Sequence, residues 1–93
     1  MALIQPMHNL PGHDHSTPEA IYGFDARGVA KRFRHAAIFG ALDALQPGEV
    51  MRFVNDHDPI PLLGQMQARY GQGVRIDYRQ RSPEGVVIDF TRQ

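Results

Sequence analysis

The sequence predicts an α+β fold, a two-layer α/β sandwich in which a four-stranded mixed sheet carries two helices on one face. Three observations predict it. Apolar residues recur with a helical period in two windows, one around Ile38 and one around Leu62. Four short runs rich in β-branched and aromatic residues lie outside those windows. The resulting order, β-α-β-α-β-β, begins with a right-handed parallel β-α-β unit and ends in a hairpin.

Residues 1–19 read as a flexible tail. "QPMHNLPGHDHSTPE" mixes Pro, Gly, His and Ser with nothing periodic to bury. The domain spans residues 20–93. "AIYGFD" suits a short first strand ending at Asp25, and "ARGVAKRFR" reads as a loop with Gly28 available for a turn. In the first helix Ile38, Ala41, Leu42 and Leu45 line one face, and "QPGE" stops it, because proline cannot continue and glycine accepts the exit geometry.

"EVMRFVN" is the second strand. Val50 and Val54 on one side, Met51 and Phe53 on the other, mark it as interior. Asp58 before Pro59 predicts an N-cap and the first helical position of the second helix. Leu62, Leu63, Met66 and Tyr70 form its buried stripe, and Gly71 and Gly73 close it. In "VRIDYRQR", Val74, Ile76 and Tyr78 point inward while Arg75, Asp77 and Arg79 point outward. "SPEG" turns the chain, and Val86, Ile88 and Phe90 return on one face.

Composition excludes several classes of function. Ten basic and ten acidic residues cancel, so no global field attracts nucleic acid or membranes. One lysine stands against nine arginines, a bias that suits bidentate contacts to carboxylates and oxyanions, although a GC-rich genome would also produce it. The absence of cysteine removes disulfides, thiolate metal sites and thiol catalysis. No apolar run approaches the roughly 20 residues of a membrane span. The start lacks the basic flank of a signal peptide, so a cytoplasmic location is expected.

Topology suggests where chemistry would gather. In a parallel β-α-β unit both strands finish at one edge of the sheet, and ligands of open α/β sheets bind outside the strands' carboxyl ends. Arg34 and His35, from the loop after the first strand, should therefore meet Asp56, His57 and Asp58 of "NDHDP". Three readings of this cluster stand side by side. In a purely structural one, Asp58 caps the second helix, Asp56 pairs with Arg34 or Arg27, and His57 bonds loop backbone. In a metal or haem reading, His35 and His57 are the ligands, with Asp56 as a further donor, and His8, His13 and His15 of the tail form a separate short histidine cluster. In an anion reading, Arg27, Lys31, Arg32 and Arg34 surround the start of the first helix, where unpaired N–H groups favour negative charge. RNA binding is a weaker variant of the anion reading, in which Arg75, Arg79 and Arg81 extend a stripe along the third strand, and interleaved acids and few exposed aromatics argue against it. A His57–Asp pair would serve as general base, but no Ser or Cys nucleophile stands near it.

"FDARG", "RHAAIFGALDALQPGE" and "VNDHDPIPLLGQMQARY" resemble the bacterial family called domain of unknown function 2249, over about Phe24 to Phe90. That family looks related to TusA-type sulfur carriers. The resemblance implies a β-α-β-α-β-β fold with strand order 1-2-4-3 and an antiparallel fourth strand. The carriers' reactive cysteine position corresponds to Lys31, with no proline after it, so persulfide transfer is not expected. The proline common after the family's Arg–His pair is Ala36 here, which would leave the helix start less sharply fixed. Members often accompany hemerythrin-like and nitrogen-oxide-related proteins, which implies a metal- or redox-linked role and a hemerythrin-like or redox partner. Together these readings point to a binding or accessory module with no catalytic residue. The alternative is an interaction or anion-binding module (phosphate, or a nitrogen or sulfur oxyanion) that docks a larger partner.

Deleting residues 1–18 should leave the melting temperature nearly unchanged, as measured by differential scanning calorimetry. A drop of several degrees would place the domain boundary further upstream.

Overall fold

The computed structural model describes residues 20–93. Four strands, β1 (Ile21–Asp25), β2 (Val50–Asn55), β3 (Val74–Ser82) and β4 (Gly85–Arg92), form one sheet in the order β1-β2-β4-β3. Two helices, α1 (Lys31–Ala44) and α2 (Ile60–Tyr70), bring Ile38, Leu42, Leu62 and Met66 onto the face of the sheet that carries Met51, Phe53, Ile88 and Phe90. The tail and its three histidines lie outside the described residues.

β1 and β2 are parallel, with Ile21 beside Val50 and Asp25 beside Val54. β4 runs antiparallel to both β2 and β3. β2 is therefore an interior strand, as its two apolar faces require. Phe53 and Phe90 are fully buried, with ring centroids 5.5 Å apart, and Phe24 stacks on Phe53 from the edge strand.

α1 starts earlier than its apolar spacing predicts. The chain leaves β1 through a short 3-10 turn (Ala26–Gly28) and is helical from Lys31. Asp25 holds that turn by accepting from the Arg27 backbone N–H. Lys31, Arg34 and His35 thus sit on helix rather than loop, and Ala36 lies beyond the first turn, so the absence of proline there does not bear on where the helix starts. Polar residues in a first turn carry no apolar period, which is why the boundary escaped the pattern. The helix ends at Leu45, whose N–H donates to Leu42 O, and the chain turns through Gly48 at φ 90°. α2 ends at Gly71, whose φ of 57° a side chain would resist.

A bulge in β3 changes the expected alternation. Tyr78 pairs with Ile88, but the next pair is Gln80 with Val87, which leaves Arg79 as the extra residue. Arg81 then stands opposite the buried Val86 and faces the helix layer, where strict alternation would have put it outside. The proposed stripe of Arg75, Arg79 and Arg81 is broken as a result. On the outer face Arg52 makes a two-point ion pair with Asp89, Arg79 lies 3.7 Å from the same carboxylate, and Arg75 bonds Asp77.

The β3–β4 hairpin needs glycine at its exit. Gly85 has φ 149°, and a Cβ there would stand 2.7 Å from the Asn55 carbonyl oxygen. Gly85→Ala should cost roughly 2 kcal/mol in urea denaturation, from backbone strain and the forced shift of β2. A loss below about 0.5 kcal/mol, the range of ordinary surface substitutions, would show that the contact relaxes freely.

Candidate functional site

Parallel pairing brings the ends of β1 and β2 to one rim, and a cavity of about 330 Å³ opens there. Lys31, Arg34 and His35 enter it from the first turns of α1; Asn55 and His57 enter from the end of β2 and the loop behind it. Ile38, Phe53 and Leu62 form apolar wall. The two imidazoles, distant in sequence, line the same space. Among the described residues no carboxylate lines it.

The remaining predicted residues are placed differently. Asp58 does not cap α2. Helix geometry begins at Ile60, after Pro59, without a side-chain cap. The Asp58 carboxylate turns instead toward β3. It accepts from the Tyr78 hydroxyl at 2.5 Å and pairs with Arg81 at 2.7 Å, while Arg81 lies over the Tyr78 ring. The bulge makes this possible by turning Arg81 inward. Asp56 pairs with neither Arg27 nor Arg34. Its Oδ1 accepts from His57 Nδ1 at 2.6 Å, on the exposed side of the loop. This hydrogen bond, with the nearby imidazole and Arg34, holds the Asp56 carboxyl below its ordinary range. His57 is thereby oriented by the carboxylate and not by loop backbone.

Arg27 is committed elsewhere. Its guanidinium makes two hydrogen bonds of 2.8 Å to Asp25, whose pKa falls to about 2 mainly through that contact. Arg32 lies over its neighbour Phe33, 5.1 Å from the ring centroid, and does not line the cavity. Arg34 donates through Nη2 to the Val29 carbonyl at 3.0 Å, and its buried Nε has no partner among the described residues.

Residues 23–92 match the model of a family described as "Uncharacterized conserved protein (DUF2249)". The chain belongs to the DUF2249 family. No curated protein and no solved structure matches it. The matched span of the DUF2249 domain includes both helices, most of the sheet and every residue of the cavity.

Asn55, which opens the motif Asn55–Pro59, is a cavity residue to which the sequence alone assigned no role. Only 4% exposed, it lines the cavity and has no partner for Oδ1 among the described residues. Its signal was available, since period-2 alternation through Met51 and Phe53 carries Asn55 onto the apolar side of β2. A buried polar atom left unpaired is costly, and in a native protein it calls for an explanation.

Among the described residues no three His, Cys, Asp or Glu side chains gather. His35 and His57 alone fall short of the three or four protein ligands that zinc takes. A second cavity of about 300 Å³ lies between β1 and the end of α1. Glu49, its one acidic group, is held by the Gln46 N–H and approached by the Tyr22 hydroxyl. No described helix is long and apolar enough to cross a membrane.

Tyr78→Phe should lower stability by about 1–2 kcal/mol by chemical denaturation, because it removes a hydrogen bond to a partly buried carboxylate. The same variant should broaden or shift the His57 and Pro59 signals, since Asp58 ties their loop to β3. An unchanged midpoint and spectrum would show that Arg81 alone holds the loop.

Proposed function

We propose that this chain is a non-catalytic binding module whose cavity takes the negatively charged group of a ligand at the first turn of α1. One observation carries the reading. Of the ten Lys and Arg side chains, six pair with carboxylates of the described residues. Three of the other four, Lys31, Arg32 and Arg34, share that single turn. It contains no acidic residue and no side-chain cap. Cations at the positive end of a helix are unfavourable by about 0.3–1 kcal/mol each. Arg34 bonds the Val29 carbonyl and Arg32 lies over Phe33, but no ion pair among the described residues offsets the clustered charge. A bound anion would reverse the sign of that cost, meeting Lys31, the Arg34 Nε–H, the unpaired backbone N–H groups and, when protonated, His35 and His57.

The test is an NMR titration with acetate, phosphate and nitrite at constant ionic strength. The Lys31 and Arg32 amides and the His35 and His57 rings should move together. Arg34→Gln should weaken binding about tenfold or more, the value of one hydrogen bond to a charged group. Silent amides at millimolar anion, or equal binding by the variant, would refute the proposal.

A second reading, docking of a larger acidic protein on the same turn, is favoured by Phe33 and Ile60. They are 57% and 58% exposed at the starts of α1 and α2. It would show as an association lost on Phe33→Ser with the small-anion titration unchanged.

A further inference from the structure

Resting on that reading, we infer that the ligand is an organic anion with an apolar body (a carboxylate or phosphate monoester) and not a bare inorganic oxyanion. The size of the cavity is the first argument. It holds about 330 Å³, at the lower end of small-molecule sites, which run from about 300 to 1,000 Å³. A water molecule's share of liquid volume is about 30 Å³, so nitrite or phosphate would fill a small part and leave the rest wet.

The walls are the second argument. Behind the cationic mouth stand Ile38 and Phe53, both fully buried, and Leu62, 2% exposed, with Pro59 and Pro61 beside them. Such walls gain nothing from an inorganic ion. They gain from hydrocarbon, in proportion to the area taken out of water.

The third argument is the pair of unsatisfied atoms. Arg34 Nε is a donor and suits the anionic head. Asn55 Oδ1, on a residue only 4% exposed, is an acceptor that nitrite, nitrate or sulfate cannot satisfy, and among the inorganic ions only the P–OH of hydrogen phosphate could. A hydroxyl or amide hydrogen on an organic body would satisfy it. The helix end, the cavity and the buried asparagine thus ask for three different parts of one amphipathic molecule.

The experiment uses the full chain and a series of probes at fixed pH and ionic strength: acetate, butyrate, hexanoate, benzoate and phenyl phosphate against phosphate, sulfate, nitrite and nitrate. Affinity should rise about fourfold per methylene buried until the cavity is filled, the ratio expected for hydrocarbon burial. Side-chain signals of Ile38, Phe53 and Leu62 should shift with the organic acids and not with the inorganic ions. If inorganic phosphate or nitrite binds as tightly as hexanoate and benzoate, this inference fails and the anion-binding proposal survives. If no anion of either kind moves the Lys31 and Arg32 amides, both fail. If methyl hexanoate, which is neutral and has no donor hydrogen, binds as well as hexanoate, the charged mouth is irrelevant and both fail again.

Discussion

Parallel pairing of β1 with β2 is the constraint on which the rest of this chain depends. It aligns Asp25 with Val54, so the two strands end together and both helices start from the same rim. Side chains from α1 and from the loop after β2 then share one cavity. An antiparallel arrangement would send one of those loops to the opposite end of the sheet, and His35 and His57 would face different solvent. β2 lies between β1 and β4, and the pairing is braced on its helix-covered face by Phe53, packed between Phe24 and Phe90.

Around this rim the chain spends its polar groups unevenly. Most arginines are neutralised by a carboxylate close by: Arg27 by Asp25, Arg52 and Arg79 by Asp89, Arg69 by Asp43, Arg75 by Asp77 and Arg81 by Asp58. Exposed pairs of this kind contribute little stability, but they cancel charge locally. What they leave uncancelled is concentrated at the start of α1. Local electrostatics and fold preference disagree there, and such disagreement is where binding sites are commonly found. Ile38, Phe53 and Leu62 give the cavity beside that charge an apolar wall.

The bulge at Arg79 has a consequence well beyond its own strand. By turning Arg81 inward it supplies a partner for Asp58, and Tyr78 supplies a second. The loop that carries His57 and Pro59 is therefore anchored to β3 rather than resting on a helix cap. Close approach of Gly85 to the Asn55 backbone secures the other side of the same loop. Both supports come from the β3–β4 hairpin.

Much of the architecture was legible in the chain itself. Period-2 and period-3.6 patterns marked all four strands and both helices, because burying one face imposes that spacing on the residues. The order β-α-β-α-β-β and the absence of cysteine followed without coordinates, and convergence of Arg34 and His35 with His57 followed from parallel topology. Three things were decided only in three dimensions. The start of α1 was hidden because its first turn is polar and carries no period. The role of Asp58 was misread because an aspartate before proline looks like a cap, and only the bulge, one unpaired residue without a sequence signature, offered it stronger partners. The isolation of Asn55 and of Arg34 Nε depends on which neighbours fail to reach them, and no local pattern records a contact that is missing.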